Sequence, residues 1–113
     1  MLTIKNLQEC GVKTEEGLAR CLNNEGFYLK MVNMALADAN FGKLREAVER
    51  GDLKAGFEAA HALKGVLGNL SLTPIYNPVS EMTELLRAGE EADYEPLLKA
   101  MEEAKGAIQA LAD

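Results

Sequence analysis

With 113 residues, 48% of them hydrophobic and 5% aromatic, the chain is long enough to bury a core without staples and too short for a second catalytic domain, so residues 1–113 read as one domain. The formal net charge of -6 leaves no basic stripe to displace counterions from nucleic acid, and no apolar run approaches the roughly 18 residues of a membrane span. Cys10 and Cys21 could pair, but without a signal peptide they are read as reduced, partly buried apolar residues of a cytoplasmic protein.

Low aromatic content, no tryptophan and few β-branched runs point to helices throughout. Thr3 is placed to cap a short helix carrying Ile4 and Leu7 and ending at Gly11; Thr14 is placed to cap a second, Glu15 to Leu22, with acids in its first turn. Both read as lids on the end of a bundle. Asn23-Asn24 opens a stronger helix finishing near Asp38, whose Phe27, Met31, Met34 and Ala35 recur at three- and four-residue intervals as an inward stripe, the methionines filling core. Asn40 reads as the cap of a helix from Phe41 to Arg50, in which Phe41, Leu44 and Val48 continue the seam; periodicity leaves open whether these two pieces are one kinked helix.

Gly51-Asp52 supply a stop and then an N-cap, so the next helix runs from about Leu53 to Leu70. After it, Thr73-Pro74 and Asn77-Pro78 each have the form of an N-cap followed by proline, and the pattern does not choose between them. From either start the helix continues through Val79, Met82, Leu85 and Leu86 and stops by Gly89. Asp93 caps the last helix, whose stripe of Leu97, Met101, Ala104, Ile108 and Leu111 closes the bundle. The expectation is an all-α fold, an antiparallel four-helix bundle with short N-terminal capping helices. One bundle uses all the strong apolar stripes, so the chain is expected to be a monomer.

The chemistry gathers on the Leu53–Leu70 helix, which carries the only histidine. Advancing each residue by about 100° gathers Gly56, Ala59, Ala60, Leu63, Val66, Leu67 and Leu70 on one buried face. His61 falls roughly 150° from the centre of that face, with Glu58, Lys64, Gly65 and Gly68, and is expected in solvent. A glycine inside a helix costs on the order of 1 kcal/mol relative to alanine. Two of them beside an exposed imidazole therefore imply that something approaches the backbone closely. An accessible imidazole with an ammonium one turn away suits a nucleophile that takes up a phosphoryl group.

The run Ala60-His61-Ala62-Leu63-Lys64-Gly65, with Gly51-Asp52 before it and Gly68-Asn69-Leu70 after it, resembles the signature of histidine-containing phosphotransfer (HPt) domains. The resemblance extends more weakly from the Phe27–Met34 region through Leu85-Leu86-Arg87. It implies that His61 is the phosphoacceptor, that Lys64 sits beside the phosphoryl group, and that Gly65 and Gly68 leave room for a docking receiver domain. Two positions depart from the pattern: Ser71 stands where many members have glycine, and Pro78 lies where the next helix usually keeps a helix former.

No nucleotide-cradling loop is present, nor the carboxylate cluster that would hold Mg²⁺ for phosphoryl transfer. The resemblance then implies a phosphorelay intermediate without its own kinase site or cofactor. Its partner would be the receiver domain of a hybrid histidine kinase or response regulator, which brings the aspartate and the Mg²⁺. Two other readings compete. Glu58-Ala59-Ala60-His61 has the Glu-x-x-His spacing of metal-binding bundles, but no second histidine completes such a site. A non-catalytic adaptor bundle binding a receiver domain or a partner helix would tolerate loss of His61 and not loss of the surrounding surface.

Overall fold

The computed structural model describes residues 1–112; Asp113, the last residue of the expected 1–113 unit, lies outside them. The described residues form helices and no strand: α1 (Ile4–Glu9), α2 (Thr14–Arg20), α3 (Glu25–Leu36), α4 (Asn40–Glu49), α5 (Leu53–Asn69), α6 (Thr73–Arg87) and α7 (Glu95–Ala112). None is long and apolar enough to cross a membrane.

Local chemistry accounts for most of the boundaries. At α1, Thr3 Oγ1 accepts from Asn6 N at 3.0 Å while Asn6 Oδ1 accepts from Thr3 N at 2.9 Å, a reciprocal box that satisfies two of the orphan donors of a helix start. Asn24 accepts from Phe27 N at 3.0 Å, and Asp52 from Ala55 N at 3.1 Å, capping α3 and α5 as expected. Gly51 ends α4 with a φ of +75°. Its N–H donates to Val48 O at 3.1 Å and that of Asp52 to Ala47 O at 2.8 Å, the double bond pattern of a left-handed C-terminal stop.

Helix α5 lies between α4 and α6, α7 packs on α6, and α3 touches α2 and α7. Gly56 sets the spacing around α5: a Cβ there would stand 3.3 Å from Leu86 of α6 and 3.7 Å from Val48 of α4. One core runs through the helices, with Leu7, Tyr28, Leu44, Leu63, Leu67, Met82, Leu98 and Met101 all fully buried or nearly so. Cys21 is buried and Cys10 half-buried, and neither is in a disulfide.

Several expectations are corrected. Helix α3 buries Tyr28, Val32, Ala35 and Leu36, whereas Phe27 and Met34 are 49% and 57% exposed. The segment carries two apolar stripes one residue apart, and periodicity does not rank them. Tyr28 decides the outcome, because its ring lies against Gly17 of α2 and its hydroxyl donates to Leu70 O at 2.8 Å. A buried phenol needs such a partner. On α5, Val66 is 37% exposed rather than buried. On α7, Leu98 takes the buried position and Leu97 is only partly buried.

Three caps also differ. Thr14 is the first residue of α2, not its cap, and its hydroxyl accepts from Gln8 Nε2 of the preceding segment at 2.9 Å. Asn40 is helical, and the side chain at that start is Asp38, which accepts from Asn40 N at 2.8 Å. Helices α3 and α4 are separate, with Ala37–Ala39 between them. Thr73 likewise is the first residue of α6 and not its cap, with Pro74 in the first turn, so Pro78 lies inside the helix. Proline there removes one backbone N–H from the helix ladder, and the helix continues past it to Arg87.

Candidate functional site

Helix α5 presents His61 to solvent, as its periodicity requires, with the small buried residues Gly56, Ala59 and Ala60 on the opposite face. The imidazole is not isolated. It stacks on Phe57, one turn earlier, with ring centroids 5.5 Å apart and planes inclined by 21°. The guanidinium of Arg87, from α6, sits over the same phenyl ring, 5.3 Å from its centroid. A cation on an aromatic face and an aromatic stack are each worth up to about 1 kcal/mol at exposed positions. Together they restrict the freedom of a ring that faces water.

Lys64 is half-buried, and its ammonium lies 3.6 Å from Glu84 Oε2 on α6. The same oxygen lies 3.6 Å from Arg87 Nη2. His61, Phe57, Arg87, Glu84 and Lys64 thus form one chain of contacts across the α5–α6 seam. Beside it, Arg20, His61, Lys64, Gly65, Gly68 and Tyr76 line an open depression of about 410 Å³. A larger one, about 550 Å³, lies between Gln8, Val12, Lys13 and Ala19 at the α1–α2 end and holds none of these groups. The smaller depression is the candidate site for its chemistry, not its size.

The two glycines predicted beside the histidine differ. A Cβ on Gly65 would meet nothing within 4 Å, so its face is open to an approaching molecule. A Cβ on Gly68 would stand 3.1 Å from Tyr76 Cε2, so the missing side chain there accommodates an aromatic ring of α6.

The C-terminus of α5 is held by residues from earlier helices. Its final turn ends in a left-handed residue, Ser71, with φ +55°. Ser71 N donates to Gly68 O at 3.2 Å and Leu72 N to Leu67 O at 2.9 Å, the stop for which glycine is the favoured residue. Arg20 Nη1 donates to Ser71 Oγ at 2.7 Å, to Gly68 O at 3.1 Å and to Asn69 O at 3.2 Å. A cation among the last carbonyls of a helix also opposes the negative end of its dipole. With Tyr28 on Leu70 O, this anchors the helix end where the sequence departs from glycine.

His61, Lys64 and Gly65 are therefore brought to one open face, while Gly68 lies beneath Tyr76. Sequence reasoning missed Phe57, Glu84, Arg87, Arg20 and Tyr76. Phe57 stands four residues before His61, a spacing that places two side chains together on a helix, and was open to detection. The other four come from neighbouring helices. Among the described residues, no three or more of histidine, cysteine, aspartate and glutamate are grouped to hold a metal ion.

A family model, Hpt domain, matches residues 34–113. Comparison with curated proteins and with solved structures yields no match. The matched stretch includes α4 to α7 and all the residues of the His61–Lys64 contact chain; α1, α2 and most of α3 precede it.

Proposed function

The chain belongs to the Hpt domain family, whose members serve histidine phosphotransfer in two-component systems with receiver domains, and from that premise we propose that His61 is its phosphoacceptor. A neutral imidazole nitrogen attacks the phosphorus of an aspartyl phosphate on a receiver domain. An N–P bond forms, the P–O bond to the aspartate breaks, and its electron pair leaves with the carboxylate. The ring proton passes to water. In the reverse sense, a second receiver aspartate takes the group from His61, so the protein is a relay between receiver aspartates and not a kinase.

The exposure of His61 on a helix face that is open at Gly65 and carries Lys64 one turn on supports this reading. Lys64 offsets the charge of the phosphoryl group, and Gly65 admits the receiver. Gly68 contributes indirectly, by letting Tyr76 lie close under the docking face. The receiver brings the Mg²⁺ and acidic residues that neutralise charge during transfer. In this reading α4 to α7, consecutive in the chain, act as an antiparallel four-helix bundle, with α1 and α2 capping its end. The protein works as a cytoplasmic monomer.

Incubation of the protein with a phosphorylated receiver domain, followed by phosphorus NMR or intact mass, tests the proposal. Acid-labile phosphate on the wild type and none on His61→Gln, with unchanged helical circular dichroism, is the expected result. Equal labelling of the variant refutes the assignment, and no uptake from several receivers turns the reading to receiver binding without chemistry.

A further inference from the structure

One carboxylate, Glu84, engages two cations at the candidate site: Lys64 and Arg87, each 3.6 Å from Oε2. Through Arg87 and Phe57 the same contacts lead back to the His61 ring. An acid is a costly neighbour for a group that must accept a dianion, because like charges oppose each other and the cation that should help is already engaged. We infer that Glu84 is a positioning residue that competes with the phosphoryl group on His61 for the Lys64 ammonium, and so keeps the phosphohistidine easy to discharge. The inference rests on the phosphotransfer reading and deepens it by naming what sets the stability of the loaded state.

A phosphoryl group brings close to two negative charges and three strong acceptor oxygens. Lysine carries a compact charge on a flexible stem, so its ammonium can pass from a carboxylate of α6 to a group on the preceding turn of α5. When His61 is loaded, Lys64 turns to the phosphoryl oxygens, and Glu84 keeps only Arg87. When the group departs, Glu84 takes Lys64 back. Each loading therefore breaks one ion pair to form another, and the net gain from Lys64 is smaller than it would be for an unpaired cation. A relay needs such moderation, since a phosphoryl group held too firmly is not passed on. Glu84 itself exchanges no atoms. Its side chain is 58% exposed and that of Lys64 29% exposed, so screening keeps the effect to roughly two- to fivefold rather than orders of magnitude.

The full chain can be loaded with potassium phosphoramidate, which transfers its phosphoryl group to an imidazole and releases ammonia without a receiver. Loading level and phosphohistidine lifetime are followed by phosphorus NMR for wild type, His61→Gln, Glu84→Gln, Lys64→Ala and the Glu84→Gln/Lys64→Ala double variant. The expected result is that Glu84→Gln raises the lifetime or the steady-state loading by about two- to fivefold at low salt. The gain shrinks toward unity in 1 M salt, where charges are screened beyond about 3 Å, and in the Lys64→Ala background. A Glu84→Gln protein that loads and discharges like wild type overturns the inference, as does a gain just as large without Lys64. Failure of the wild type to load, or loading of His61→Gln to the same level, overturns the phosphotransfer reading itself, and the inference with it.

Discussion

The His61 imidazole lies stacked on Phe57, its partner one turn back on α5, with 5.5 Å between ring centroids. The ring is thus held from below while its outer side stays accessible. Replacing Phe57 by alanine should slow phosphoryl uptake from a receiver severalfold, because the imidazole then samples more rotamers before attack. As Phe57 is only half-buried, the stability cost should be about 1–2 kcal/mol, less than the 3–5 kcal/mol of a fully buried phenylalanine. Phe57→Tyr should retain the rate. Single-turnover transfer kinetics beside urea unfolding separate the two effects, and an unchanged rate in Phe57→Ala would remove the positioning role.

Gly65 and Gly17 should respond in opposite ways to the same substitution. Gly65→Ala places a methyl group in open space on an exposed helix and should stabilise the protein by roughly 0.5–1 kcal/mol. If a receiver needs that space, transfer from a receiver falls while loading by phosphoramidate does not. Gly17→Ala drives a Cβ to 2.5 Å from Tyr28 Cε1 and 2.6 Å from Leu70 O and should cost about 1–3 kcal/mol by overpacking. Urea midpoints of the two variants moving in the same direction would contradict this account.

Alkaline stability should depend on Tyr28. Burial, with a smaller contribution from nearby Cys21, pushes its phenol up to about 12 from the ordinary 10.0. The folded state thus favours the protonated form. The stabilisation is complete below pH 10 and is lost as pH rises toward 12, by on the order of 2–3 kcal/mol. Tyr28→Phe should flatten that loss, and should cost about 1 kcal/mol near neutrality because Leu70 O loses its donor. Burial raises the phenol of Tyr94 as well, so some slope remains. Urea unfolding between pH 8 and 11.5 checks this, and an identical slope in the variant would show that Tyr28 is not its source.

Ser71 and Arg20 should behave as a coupled pair. Arg20→Ala removes the donor to Ser71 Oγ, Gly68 O and Asn69 O and should cost about 1 kcal/mol, with faster amide exchange in the last turn of α5. Adding Ser71→Gly in that background should recover stability, since glycine holds φ +55° without strain. Simple additivity of the two substitutions would show that they are independent.

Arg45 ties α4 to α7. It makes a two-pronged contact with Glu102, at 2.6 and 2.8 Å, and further bonds to Glu95 and Glu49. The hydrogen bond from Arg45 holds the Glu102 carboxyl below its ordinary range. That contribution is present at neutral pH and is lost as pH falls through the lowered value. Arg45→Gln should therefore lower the melting temperature at pH 7 more than at pH 3, and more in low salt than in 1 M salt. A uniform drop at both pH values would point to packing instead.

Much of this could be read from the chain itself. Helix starts at Thr3, Asn24 and Asp52 and the stop at Gly51 follow from bonds within four or five residues. The outward direction of His61 follows from the 3.6-residue period together with the apolar face of its own helix. Ser71 was legible as a departure from glycine, but Arg20, which holds it, was not.

Contacts between helices decided the rest. The two stripes of α3, through Phe27 and through Tyr28, are nearly equal in apolar content, and only the slot at Gly17 and the carbonyl of Leu70 select the second. Lys64 reads as a cation beside a histidine, yet its partner is Glu84 on another helix. Gly68 reads as open backbone, yet Tyr76 lies against it. Capping and periodicity act over one helical turn and are written in neighbouring residues. Which side chains meet across a seam depends on how each helix is rotated and spaced in the bundle, and the packing of the whole core sets that.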